Sequence, residues 1–283
     1  MICGALGAWA ALTETGIVRH RAVAGPIDTA RALFAGLEDG TLLADLSASL
    51  QRLGLGVALA LAVGLPLGLF VGTSARRHRL FEPGMDFLRA IPPLLVFPLL
   101  LLTFGYGDSA RVGAVAYAAT LVIALHVSSG VRRAPAERVD ALRAMGATRW
   151  QLLRWVHFYE VLPSCLTALR HAVSTGLVVA VVTEMVVGAG EGLGSRAVNA
   201  QIAYDAPALY AVIFVTGGIG YALGSALMAA ERRIVFWEGS FDGRASDDRG
   251  RARGPSATIG PSSTVRNEAP ESTRVEDGTT PTQ

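Results

Sequence analysis

The sequence predicts an all-α, polytopic membrane protein with about six transmembrane helices. Three observations predict it. Charge is scarce, at 17% of 283 residues against 51% hydrophobic ones. The charges are segregated: residues 53–75, 90–107, 112–131 and 206–230 carry no Asp, Glu or Arg, and 171–190 carry only Glu184. The arginines gather between those runs. A hydrocarbon core of roughly 30 Å takes about 20 apolar residues of helix to cross. Helices at this spacing satisfy their own backbone hydrogen bonds in lipid. A soluble helical protein would instead show an apolar stripe beside a polar face.

Residues 1–13 are uncharged but short for a span. They lack a basic leading region and a small-residue cleavage site, which argues against a signal peptide. Segment 1–25 is read as a short or truncated first membrane helix, and counting it gives six. Next, Pro26 and Asp28 precede Ala30, Leu33, Phe34 and Leu37 at helical spacing. They predict an amphipathic interfacial helix within an outside segment 26–52, interrupted at Gly40. Gly64, Gly68 and Gly72 recur every four residues, a small-residue face for close helix packing. Pro92, Pro93 and Pro98 predict a kinked third helix. His126 predicts an interhelical hydrogen bond, and the glycines of 188–194 a flexible outer loop. From 239 to 283 Ser, Thr, Gly, Pro, Asp and Arg dominate, which predicts a disordered tail. Such a composition buries too little apolar surface to offset its ordering entropy.

Arginine placement predicts the orientation. Arg76, Arg77 and Arg79 follow one span, Arg132, Arg133, Arg138, Arg143, Arg149 and Arg154 another, and Arg232 and Arg233 the last. Arg111 and Arg196 stand in the sparser opposite loops. Cytoplasmic loops carry the excess of basic residues. The N-terminus, 76–89, 132–160 and the C-terminus are therefore expected inside. The net charge of +2 implies no nucleic-acid partner. All 25 residues of the Lys and Arg total are arginine. A Walker A loop needs a Lys to reach the nucleotide phosphates, so no such loop exists in these residues. Cys3 and Cys165 fit no metal or redox spacing and read as small apolar fillers. Neither HExxH nor GxSxG occurs, so catalytic residues, metal and cofactors are all expected to be none.

The inside loop 132–160 is the informative segment. Pro135 suits the first turn of a helix, Glu137 its positive end and Gly146 its stop. A second short helix is expected from about Thr148 through Trp150, Leu153 and Arg154 to His157. Ala141, Ala144 and Gly146 let a partner's backbone come close. Leu142 and Met145 offer an apolar knob, and the arginines reach acidic groups. A protruding coupling helix has these needs, although a solvated loop helix would read similarly from spacing alone.

Asp140-Ala141-Leu142-Arg143-Ala144-Met145-Gly146 resembles the conserved "EAA" cytoplasmic loop of binding-protein-dependent ABC importer permeases. Leu162-Pro163-Ser164 and Leu169-Arg170 continue the likeness. It is closest to the nitrate/sulfonate/taurine branch and extends from about residue 26 to Trp237. Ser49-Leu50-Gln51-Arg52 and Gly64-Leu65-Pro66-Leu67-Gly68 look like the branch's first conserved region. Arg89-Ala90-Ile91-Pro92, Pro98 and Phe104-Gly105-Tyr106-Gly107 look like the next, and Thr183-Glu184 and Gly192-Leu193-Gly194 like the last. Asp140 is one methylene shorter than the usual Glu, and Phe158-Tyr159 replaces a usual Leu-Pro.

The resemblance implies a type I importer permease (MetI-like) fold over 26–238, working as a homodimer in the cell membrane. It implies two partners: a separate ATP-binding ATPase subunit and an extracytoplasmic solute-binding protein. It also implies a small solute such as nitrate, sulfonate or taurine, with a thiamine-precursor pyrimidine as the alternative. Asp140, Ala141, Arg143, Ala144, Met145 and Gly146 would form the ATPase-coupling loop. Glu184 stands at membrane depth, where an ionisable residue is expensive. It either lines the pathway or joins a buried pair with an arginine such as Arg196. An ion-coupled secondary transporter would show internal repeats and several intramembrane charges, and neither is evident.

Overall fold

The computed structural model describes residues 24–133, 142, 144–148, 151, 158–188 and 190–235. The N-terminal helix expected at 1–13 and the tail at 239–283 lie outside them. Among the described residues the chain is all helix, without strands.

Helix α1 (Pro26–Glu38) carries Pro26 and Asp28 in its first turn, where a missing N–H and a negative charge suit the positive helix end. Beyond Gly40 runs α2 (Thr41–Gly72), 32 residues long. At 1.5 Å per residue it measures about 48 Å, more than the hydrocarbon core alone. Residues 41–52 are therefore the first turns of the long helix and not part of a separate interfacial segment. The charges Asp45 and Arg52 concealed this continuity, because each is paired inside the protein.

The expected third span at 90–107 is a bent pair. α3 (Ala75–Ala90) and α4 (Pro93–Phe104) meet at 87°. Pro92 removes a backbone donor and holds Ile91 extended (φ −77°, ψ 117°), which ends α3, while Pro93 opens α4. The residues expected as loop 76–89 are thus helical. α5 (Asp108–Arg132) follows, then α6 (Phe158–Val187), the short α7 (Leu193–Ile202) and α8 (Ala206–Ile234). The side chain of Asp205 caps α8 by accepting the Ala208 N–H at 3.0 Å. Among the described residues four helices are long and apolar enough to cross a membrane: Thr41–Gly72, Asp108–Arg132, Val161–Val187 within α6, and Ala206–Ile234. The α3–α4 pair makes five if counted as one broken span.

Close approaches set the helix directions. A Cβ placed on Gly56, Gly64, Gly68 or Gly72 of α2 would meet Val115, Thr120, Ala124 and Ser128 of α5 in that order, so α2 and α5 run parallel. Gly130 of α5 meets Ser164 of α6, whereas Gly176 of α6 meets Val115, so those two are antiparallel. Thr167 of α6 bonds Glu231 of α8 and Leu177 touches Gly220, so α8 is antiparallel to α6. The starts of α2, α5, α7 and α8 therefore share one end of the bundle with the close of α6. The close of α5 and the opening of α6 lie at the other end.

The small-residue face expected on α2 is the seam of the bundle. A Cβ on Gly68 would stand 2.7 Å from the Ala124 carbonyl oxygen, closer than real contacts allow. Ala60 and Ile123 are fully buried along the same seam. Lipid tails are as apolar as Leu, so dispersion between close backbones has to supply the attraction here. Gly68→Val should destabilise the purified protein in detergent by about 1–3 kcal/mol through overpacking. Gly54→Ala, whose new methyl meets nothing within 4 Å, should leave its Tm unchanged or raise it. Thermal denaturation of the two variants reads the difference.

Candidate functional site

At the end where α2, α5 and α7 begin, the sequence places polar side chains one or two turns apart on α2: Asp45, Ser49 and Arg52. They face the last turn of α6, where Glu184 is fully buried. Arg52 Nη1 donates to Glu184 Oε1 at 2.8 Å. Ser49 Oγ lies 2.9 and 2.8 Å from the two carboxylate oxygens, and it accepts the Leu193 N–H at 2.9 Å. The Gly194 N–H donates to Glu184 Oε2 at 2.9 Å. The carboxylate therefore has a cation, a hydroxyl and a backbone N–H at the start of α7, whose positive end also favours it.

The network extends outward. Arg52 Nε donates to Asp108 Oδ1 at 2.8 Å, and Arg111 Nη1 to the same oxygen at 3.0 Å. Arg52 Nη1 also reaches the Glu191 carbonyl at 2.7 Å. Asp45 accepts the Gly192 N–H at 2.9 Å and Arg196 Nη1 at 3.1 Å. Glu184 thus belongs to a buried pair, with Arg52 as its partner; Arg196 pairs with Asp45. Arg111, expected in a loop, is a buried residue of α5.

The glycines before α7 serve closeness. Gly192 has φ +141°, and a Cβ there would lie 2.6 Å from the Glu184 carboxyl group. A Cβ on Gly194 would collide with the Val181 carbonyl oxygen. Around Gly192 the chain wraps tightly on Glu184, and the loop expected at 188–194 gives way to α7 at Leu193. Sequence reasoning missed Ser49, Arg52 and Asp108 as a group. Arg52 to Glu184 spans 132 positions, so no local pattern joins them.

At the other end the described part of the 132–160 loop forms an elbow. Leu142 and Ala144 are helical, and Gly146 has φ +81°, with open space where a side chain would begin. The Ala147 N–H donates to the Leu142 carbonyl at 3.0 Å, the six-to-one bond that closes a helix at a left-handed residue. A helix-start pattern follows at once, with Gln151 helical. Thr148 Oγ1 accepts the Gln151 N–H at 3.4 Å, and Gln151 Oε1 accepts the Thr148 N–H at 2.8 Å, a reciprocal capping box. Met145 stands 73% exposed at the tip. Asp140, Ala141 and Arg143 lie outside the described residues, as do Trp150, Leu153, Arg154 and His157.

Two smaller expectations resolve in the bundle. His126 Nδ1–H donates to the Val122 carbonyl of its own helix at 2.8 Å, so the hydrogen bond is not interhelical. Its interhelical contact is a ring stack on His171, centroids 5.4 Å apart. Cys165 packs half-buried beside the α5–α6 core, while Cys3 lies outside the described residues.

A parallel α2–α5 pair closed by α6, a broken helix between them and a capped elbow at one end define a membrane permease scaffold. The model of the family described as "binding-protein-dependent transport system inner membrane component" matches residues 64–235. A probable ABC transporter permease protein of Brucella abortus (strain 2308) is 30% identical over 233 residues, 82% of this chain and 92% of the relative. The taurine transport system permease protein TauC of Escherichia coli (strain K12) is 31% identical over 204 residues, 72% of this chain and 74% of the relative. A chain of the inward-facing MetNI methionine ABC transporter shares the fold, with a TM-score of 0.63 at 23% identity over 69% of this chain and 96% of that one. The chain belongs to the binding-protein-dependent transport system inner membrane components, in the branch of ABC permeases whose relatives are named for taurine, aliphatic sulfonate and bicarbonate transport.

Removing one partner of a buried pair leaves the other uncompensated, a cost of about 3–5 kcal/mol. Glu184→Met should therefore lower the Tm of the purified protein sharply. The double variant Arg52→Met/Glu184→Met should be destabilised less than the sum of the two single variants, measured as a double-mutant cycle.

Proposed function

We propose that this chain forms the translocation pathway of an ATP-driven importer for a small anion of the sulfonate, taurine or nitrate kind. It works as a homodimer, with a separate ATP-binding ATPase on the cytoplasmic face and a solute-binding protein outside. The observation that carries the ATPase contact is the elbow at Met145 and Gly146: a helical turn closed at a left-handed glycine, a Thr148–Gln151 capping box directly after it, and an exposed apolar tip. Its place in sequence agrees with the coupling segment Asp140 to Gly146. The elbow seats in a groove of the ATPase, and closure of two ATPase subunits swings the paired permeases between inward-open and outward-open states. Such a switch moves packed helices as rigid bodies. The excess of arginine in 76–89 and 132–160 supports a cytoplasmic side for the elbow and both termini. The anion assignment is supported by the taurine permease among the relatives.

Gly146 separates geometry from side-chain chemistry. A β-branched residue there is strained in the left-handed region, while Asn tolerates it. Gly146→Val should cut copurification of the ATPase and solute uptake at least tenfold with membrane insertion intact, and Gly146→Asn should retain most of both. Asp140→Arg should weaken ATPase association as Gly146→Val does. Full association and uptake with Gly146→Val and Asp140→Arg would overturn the coupling assignment.

A further inference from the structure

Halfway along the bundle, α6 and α8 part around a cleft of about 240 Å³ lined by Arg170, His171, Ser174, Leu177, Gly220 and Gly224. That is several times the roughly 30 Å³ of a water molecule. Ser174 is the midpoint of the Val161–Val187 span, and Gly220 is the midpoint of Ala206–Ile234. The cleft therefore sits about midway along both apolar helices. His171 and Ser174 are exposed there, and the flanking Thr175, Gly217, Gly218 and Ser225 continue a polar and small-residue face. Contact with lipid would leave those groups unsatisfied. Polar side chains at this depth face a watery cavity or the bundle interior.

The cleft has unused donors. Among the described residues neither His171 nor Ser174 has a hydrogen-bond partner in the protein; His171 only stacks on His126. Arg170 Nη1 stands 3.8 Å from Glu231 Oε2, an ion pair longer than a hydrogen bond, while Thr167 donates to the other Glu231 oxygen at 2.8 Å. Glu231 thus compensates the Arg170 charge without occupying the guanidinium's donors. A planar fork of N–H groups beside a hydroxyl and an imidazole suits a compact oxyanion, which accepts hydrogen bonds from all three. Gly220 and Gly224 lack side chains on the facing wall and leave it room.

We infer that Arg170, His171 and Ser174 form a mid-membrane contact site for a small sulfonate-class anion on its way through the protein. The inference rests on the permease reading and adds the place where solute meets the wall. Thiol labelling of the full importer in membrane vesicles tests it, in a chain whose Cys3 and Cys165 are replaced by Ala. Ser174→Cys should react with a methanethiosulfonate reagent that carries a sulfonate, at least tenfold faster than Leu59→Cys, an exposed position on α2. Taurine should slow the Ser174→Cys reaction. Arg170→Gln in the same background should reduce the preference for the sulfonate reagent over its ammonium counterpart at least tenfold. Equal labelling at 174 and 59 would overturn the water-filled cleft. A reagent preference unmoved by Arg170→Gln, or no slowing by taurine, would overturn the anion site. ATPase copurification in the same vesicles is scored separately, so failure of the permease reading is distinguishable from failure of the cleft.

Discussion

The architecture depends on the carboxylate of Glu184. A charge enclosed in an apolar bundle is stable only when its surroundings replace what water gave it. Arg52, Ser49 and the Gly194 N–H do so here, and they come from α2 and α7. Arg52 carries the network on to Asp108 at the start of α5. One side chain thus draws three other elements to the end of α6. The α2–α5 seam needs that anchor. The glycine seam alone would admit slips of four residues, because the same small face recurs with that period. A directional, buried ion pair at one end selects the register in which Gly64, Gly68 and Gly72 meet Thr120, Ala124 and Ser128.

The sequence made the class of fold legible because the membrane imposes it residue by residue. Apolar runs, arginine-rich connections and the four-residue glycine period are all local properties. The turn at the elbow was legible for the same reason: Gly146 closes a helical turn, and the Thr148–Gln151 capping box follows within five positions. Pairing across the bundle was not legible. Arg52 and Asp45 looked like evidence against a membrane helix, so the run seemed to begin at 53 when α2 begins at Thr41. Those charges are tolerated because partners from distant segments neutralise them, and only the folded arrangement names the partners. Arg196 was a reasonable partner for Glu184 by proximity in sequence, but it is bonded to Asp45. The kink of the third span was legible, whereas its helical lead-in at 75–90 was not. A run free of charge reports hydropathy, whereas Pro92 and Pro93 decide direction, and they turn the chain by 87°.

The two ends of the bundle therefore have opposite characters. One is tied by charge-assisted hydrogen bonds among α2, α5, α6 and α7. The other presents an elbow whose backbone is fixed by its own caps and whose tip, Met145, is exposed. In the proposed coupling, a body locked at one end and grasped at the other would transmit a push through its whole length. The parallel α2–α5 pair gives the lever its stiffness, since carbonyl oxygens of α5 fill the space that side chains on α2 would need.

The central claim is that the Met145 tip seats in the ATPase, and proximity measures it most directly. A Met145→Cys chain, otherwise free of cysteine, is assembled with its ATPase carrying cysteines around the groove, and treated with a short bifunctional thiol crosslinker. A crosslinked permease–ATPase species whose yield changes when ATP is bound is the predicted result. No crosslink at any groove position, with the complex intact, would contradict the account.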